Sequence, residues 1–137
     1  MGAPDTAIRA AFTARLQTLP SLPPVAWENV AYTPVAGVTY LAPALLPGEP
    51  FQAEVGESGQ NWHVGVYQIS IFAPKNVGVG ALGTLRDSIV DHFKRGTVMT
   101  GGPVTVTATK AYASGAITDA DRVHVPVTIR YRVLAAN

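Results

Sequence analysis

Apolar residues recur at helical spacing near the start of the chain. Ile8, Ala11, Phe12 and Leu16 share one stripe, while Arg9 and Arg15 belong to the solvated side. Asp5 or Thr6 can cap such a helix. The run Leu19, Pro20, Ser21, Leu22, Pro23, Pro24 ends it, because proline cannot continue the hydrogen-bond ladder. A short extended piece follows over residues 25–30, carries Trp27 and closes at Thr33 and Pro34.

Residues 37–46 are apolar with β-branched and aromatic members and predict a strand, which Pro43 places at an edge or a bulge. Residues 46–60 hold Pro47, Gly48, Pro50, Gly56 and Gly59 and show no period, so they predict a long irregular segment of the kind that is functional or disordered. Residues 61–73 form a long strand pattern that Pro74 stops. Trp62, Val64 and Val66 lie on one face at its start, and Tyr67, Ile69 and Ile71 on the other further along. That switch predicts a bulge or burial on both sides. At about 3.3 Å per residue the strand reaches roughly 40 Å, longer than a compact domain of this size requires.

A second amphipathic helix is predicted over residues 80–94, with Leu82, Leu85, Ile89 and Phe93 as its buried stripe. Lys94 and Arg95 complement its dipole, and Gly96 reads as its C-cap. Gly101, Gly102 and Pro103 introduce a third strand over residues 104–112, and a loop over residues 114–121 leads to the fourth. There Val123, Val125, Val127, Ile129, Tyr131 and Val133 alternate with Arg122, His124, Pro126, Thr128, Arg130 and Arg132, the habit of an antiparallel strand with one packed face. Pro126 removes a backbone donor and predicts an edge position or a bulge. The expected architecture is therefore an α+β domain in the order α-β-β-α-β-β, a four-stranded, mainly antiparallel sheet with two helices on one face. Its 137 residues fit a single domain over residues 1–137.

Composition narrows the chemistry. Hydrophobic residues make up 47% and charged residues 14%, which supplies a core and leaves a lightly charged surface of the kind that partners cover. A net charge of +1 gives no bulk electrostatic case for a membrane or for sequence-specific nucleic acid. Without cysteine there is no disulfide framework, thiolate zinc site or cysteine nucleophile. Met1 to Asp5 lacks the basic and apolar regions of a signal peptide, no apolar run approaches the roughly 20 residues of a membrane span, and a cytoplasm-like compartment is expected.

Gly78, Gly80 and Gly83 match G-x-G-x-x-G formally, a nucleotide-binding alternative. The fingerprint turns directly off its strand and is followed by an acidic residue on the next one; here residues 74–78 intervene and Thr109 and Lys110 stand at that later position. The sequence reads better as a flexible strand-to-helix connection. His63, His92 and His124 have no metal-ligand spacing, Asp119 and Asp121 lack the later glycine and glutamate of a calcium loop, and Ser58 lacks the second glycine of a nucleophile elbow. No cofactor, metal or catalytic residue is expected. The candidate interface instead joins Phe51 and Trp62, the acidic segment of Glu49, Glu54 and Glu57, and the basic stripe of Arg122, His124, Arg130 and Arg132. A solvated sheet face remains the alternative reading of that stripe.

Several of these features coincide with one family. Trp27, Glu28 and Asn29 precede Tyr32, Thr33 and Pro34; a strand of Tyr67, Gln68, Ile69, Ser70, Ile71, Phe72, Ala73 and Pro74 leads to Gly78, Gly80 and a helix closing at Phe93. Val127, Thr128, Ile129, Arg130, Tyr131, Arg132 and Val133 end the pattern. Over residues 5–133 the chain resembles the tail terminator (tail completion) proteins of long-tailed bacteriophages and prophages, similar to minor tail protein U of lambda-like phages. The resemblance implies a homohexameric ring in the virion tail, assembled in the host cytoplasm. Such a ring caps the tail tube, stops its polymerisation and offers a surface to the head connector. Its partners would be copies of itself, the tail-tube protein and the head–tail connector protein. A head–tail connector or a tail-tube subunit is the neighbouring alternative.

Overall fold

The computed structural model describes residues 5–28, 30–56, 59–75, 80–118 and 122–135. Two 14-residue strands dominate it, β3 (Asn61–Pro74) and β7 (Arg122–Ala135), paired antiparallel from Asn61↔Ala135 to Pro74↔Arg122 without a register shift. Of the two expectations for the first of them, a bulge or burial on both sides, the second holds. Its change of face arises because the strand is apolar on both sides: Tyr67, Ile69 and Ile71 are buried, and Trp62, Val64 and Val66 are half-buried on the other face.

Edge strand β1 (Tyr40–Pro47) pairs with β3, and β5 (Val104–Ala113) pairs with β7. Three short strands join these four, correcting the expected count to seven among the described residues: β2 (Phe51–Gln52) on β3, β4 (Val98–Gly101) on β5 and β6 (Ile117–Thr118) on β7. The main path runs β1-β3-β7-β5-β4. With helices α1 (Asp5–Gln17) and α2 (Gly80–His92), the order is α-β-β-β-α-β-β-β-β. Strands of two to four residues are too short to show a period, so the pattern passed over them.

Both prolines are accommodated by exposed backbone geometry, but differently. Pro43 sits on an edge, as predicted: the Leu41 N–H donates to the Pro24 carbonyl and the Leu45 N–H to Glu28 Oε1, so odd residues of β1 point their donors away from β3. Pro126 corrects its prediction, because β7 is central. The Pro126 carbonyl accepts from Ser114 N, placing its missing donor on the side where β5 has ended at Ala113 and β6 has not yet begun. A break between two partners serves there as an edge would.

One face of this sheet carries both helices. Ile8, Ala11, Phe12 and Leu16 of α1 are buried together with Ile89 and Phe93 against Leu41, Tyr67, Ile69, Val106, Ile129 and Tyr131. Phe12 is the hub: its ring stacks on Tyr67 at 4.4 Å, meets Tyr131 edge-on at 5.5 Å and lies 6.0 Å from Phe93. The helix C-termini are latched to each other. Arg15 Nε and Nη2 donate to the His92 carbonyl at 3.1 and 2.9 Å, and His92 Nε2 lies 2.8 Å from the Arg15 carbonyl. Since a carbonyl only accepts, that nitrogen carries the ring proton. His92 is thus a helix clasp. Gly96 corrects its prediction too: the helix ends at His92, and Gly96, at φ 90°, is the third residue of a turn closed by Thr97 N donating to the Lys94 carbonyl.

Gly101 lets α1 touch the sheet. A Cβ there would run into the Ala7 carbonyl and lie 2.8 Å from Ala11 N, both rigid backbone. Gly101→Ala should therefore destabilise the fold by about 3 kcal/mol, whereas Gly83→Ala, in open space on α2, should stabilise it by up to about 1 kcal/mol. Urea unfolding followed by circular dichroism reads both signs.

Burial pushes the Tyr67 and Tyr131 hydroxyls up to about 12. The unfolded chain then loses these protons first, so the stability they carry is intact below pH 10 and disappears as pH rises from 10 through 12. Urea midpoints should fall across that window, and Tyr67→Phe should flatten the fall measurably.

Candidate functional site

Among the described residues no helix covers the opposite face of the sheet. Strand register arranges its side chains in rows. At one end Phe51, Trp62 and Leu134 stand directly opposite one another across β2, β3 and β7. Phe51 is 54% and Leu134 41% exposed, so this apolar row is open to solvent. Val64 and Arg132 form the next row, then Leu46, Val66, Arg130 and Lys110. At the far end Tyr40, Phe72, His124 and Ile117 line up across four strands. Tyr32 joins them: ring centroids step 5.0 Å from Tyr32 to Tyr40, 5.0 Å to Phe72 and 5.1 Å to His124. Ten residues of strand separate the two end rows, about 33 Å at the usual rise.

The predicted basic stripe is on this face, but its members are not equivalent. Arg122 is spent internally. Its Nη1 donates to the Val38 carbonyl at 2.9 Å and Nη2 to the Val35 carbonyl at 2.8 Å, and its guanidinium lies 5.0 Å from the Tyr40 ring centre. Arg132 lies over Trp62 at 5.3 Å, a cation–π contact that leaves its donors at the surface. Arg130 hydrogen-bonds the Tyr112 hydroxyl, and with the Thr128 hydrogen bond lowers that phenol below its ordinary value. Arg130 and Arg132 project where β5 bulges: pairing with β7 passes from Ala108↔Tyr131 to Lys110↔Arg130, omitting Thr109. Two shallow grooves meet at Thr109 and Arg132. One, of about 350 Å³, is lined by Val64, Val66, Arg130 and Tyr131; the other, of about 320 Å³, by Arg95, Gly96, Thr107 and Ala108.

The acidic segment lies at the other lateral edge, beside β2. Glu49 is exposed. Glu54 Oε1 accepts the Gln60 N–H at 2.8 Å, Ala53 N and Glu54 N both donate to the Gln60 carbonyl, and Gly59 N donates to the Gly56 carbonyl. These bonds tie residues 53–54 and 56 to residues 59–60, and Val55 between them has 95% of its surface exposed. Glu57 and Ser58 lie outside the described residues.

Structure thus brings Phe51, Trp62, Arg130 and Arg132 into one neighbourhood, with Glu49 and Glu54 flanking it, and sets Arg122 and His124 at the far end. Sequence reasoning passed over Tyr40, Phe72, Ile117 and Leu134, whose alignment depends on register between strands distant in sequence; the aromatic members at even positions of a strand with a buried odd face were the available signal.

The other motifs resolve less favourably. Gly78 and Val79 lie outside the described residues, as do Asp119 and Asp121, and β3 is antiparallel to its neighbours, so the parallel strand–helix unit of a dinucleotide site is not formed there. No group of three or more His, Asp or Glu among the described residues is placed to hold a metal. His63 is buried opposite Val133 on the helix-covered face, and its Nε2 has no hydrogen-bond partner among the described residues. No helix among those residues is long and apolar enough to cross a membrane.

Residues 7–131 match the family described as phage tail terminator protein. The chain belongs to the phage tail terminator family. A terminator of this family is a structural protein of the virion tail, which accords with a face built of apolar rows and arginines. One solved structure is 27% identical, with a TM-score of 0.75 over 96% of this chain and 96% of its own. A chain from the virion of a native gene transfer agent particle shares the fold at 19% identity, with a TM-score of 0.65 over 98% of this chain and 100% of its own. No curated protein sequence matches the terminator chain.

Arg122 tests the division of labour on the basic stripe. Arg122→Ala should release residues 35–38 and cost about 1–2 kcal/mol through two lost hydrogen bonds to carbonyls. Hydrogen exchange should speed up in that segment and not at β2.

Proposed function

We propose that the chain forms a ring, hexameric as in the terminators it resembles, that seats on the end of the tail tube and stops its polymerisation. It acts through assembly, with no catalytic step, and the surface it presents away from the tube joins the head connector. The observation that carries this reading is the division of the sheet into a helix-covered face and an uncovered one whose apolar rows are already aligned. A tube-capping subunit needs such a surface, large, preformed and matched to a repeating partner. Phe51, Trp62, Arg130 and Arg132, with His124 and the Tyr40–Phe72 pair at the far end, are the residues offered to partners. Glu49 and Glu54 supply charge of the opposite sign at the rim. Arg122 contributes by shaping the loop it holds. Assembly takes place in the host cytoplasm before the tail meets the head.

Two requirements follow, one lateral and one axial. Ring closure takes a heterologous contact, in which one patch meets a different patch on the next subunit. Termination takes asymmetry along the axis, so that the tube subunit fits one side of the ring and not the other.

Electron microscopy of the purified protein mixed with unterminated tails tests this reading. A ring-shaped cap at one tube end and arrested elongation are expected. Tubes that grow past their normal length at saturating protein, without a cap, would refute it.

A further inference from the structure

The two lateral edges of the sheet carry complementary features that cannot reach each other within one molecule. Beside β2, Val55 is almost fully exposed next to the point where Ala53 and Glu54 bond Gln60, and exposed Glu54 spends one carboxylate oxygen on Gln60 N while its charge stays at the surface. Beside β5, the groove of about 320 Å³ is lined by Arg95, Gly96, Thr107, Ala108, Thr109 and Arg132. In the lane order of the sheet, β3 and β7 stand between β2 and β5. Three strand spacings amount to about 14 Å, beyond the reach of a valine or glutamate side chain.

We infer that copies of this chain join head to tail, the Glu54–Val55 turn of one copy entering the Arg95–Arg132 groove of the next. The inference rests on the ring reading given above and specifies the contact that builds the ring. Glu54 is held in place by its bonds to Gln60 and by Gln52 Nε2 donating to its carbonyl, so ordering it costs little when it docks. A valine side chain fits within the groove volume of about 320 Å³, beside Gly96, Thr107 and Ala108. Arg95 has no acidic partner among the described residues, and the Arg132 guanidinium, lying over Trp62, keeps its donors free for a carboxylate. Opposite charges on opposite edges also set direction: turn against turn and groove against groove repel, which disfavours the face-to-face alternatives.

The bulge at Thr109 explains why the groove exists. Ala108 is held on its outer side by Gly96 N donating to its carbonyl and its own N–H donating to the Thr97 carbonyl. Pairing with β7 resumes only at Lys110, so Thr109 leaves the ladder beside Arg132, where the groove lies.

The experiment uses the full chain, native mass spectrometry and light scattering, with and without tail-tube protein. Val55→Arg breaks the turn, and Arg95→Glu combined with Arg132→Glu breaks the groove; Thr109→Trp fills the groove without changing its charge. Each altered chain should melt like the wild type yet associate at least 100-fold more weakly. Mixed in equal amounts, the turn-broken and groove-broken chains should form a dimer that grows no further, because one intact turn meets one intact groove, while the wild type passes beyond a dimer. The inference is overturned if Val55→Arg assembles as the wild type does, if the mixed chains stay apart, or if the wild type stays monomeric in both conditions. It is also overturned if the groove changes spare self-association and abolish only tube binding, which would assign the groove to the tube subunit. Val55→Arg that assembles and still caps tails would remove this contact and leave the terminator reading standing. A wild type that assembles but never arrests tubes would do the reverse.

Discussion

The unbroken ladder between β3 and β7 is the constraint on which the rest of the molecule depends. Side chains alternate along a strand, so a slip of one residue would exchange the two faces completely. With Asn61 opposite Ala135 and Pro74 opposite Arg122, Tyr67, Ile69, Ile129 and Tyr131 all turn towards the helices. The same register necessarily turns Trp62, Phe72, His124, Arg130 and Arg132 the other way. One set of backbone hydrogen bonds therefore builds the core and the outward surface together.

Phe12 secures that register from the helix side. Its stack on Tyr67 and its edge contact with Tyr131 bridge the two long strands through one ring, so α1 can seat in a single position. Gly101 permits that approach, and the Arg15–His92 clasp fixes the second helix to the first. The edge of β1 is closed by residues 24–28, where Glu28 accepts the Leu45 N–H and pairs with Arg9 of α1. A covered edge resists unplanned strand addition. Growth of an assembly is then left to surfaces with shape and charge, which can be made directional.

Part of the uncovered face was legible in the sequence. The alternation over residues 122–133 placed the arginines and His124 on one face, and Phe51 and Trp62 were among the candidate interface residues. Their roles were not legible. Arg122 and Arg132 have the same side chain and the same parity, yet one closes a loop through Val35 and Val38 and the other lies over Trp62 at the surface. That difference depends on which distant segment happens to pass nearby.

The sequence by itself determined the two helices, the four long strands and the inward-facing residues, because helical and strand periods are local properties of the chain. It also carried the resemblance that the family match later established. Tertiary structure alone decided the three short strands, the central place of β7 despite Pro126, and the bulge at Thr109. Each of these is set by hydrogen bonds between residues far apart in sequence, for which a short segment holds no periodic signal. The rows across the uncovered face belong with them: Phe51, Trp62 and Leu134 become neighbours only when three separate strands take their register.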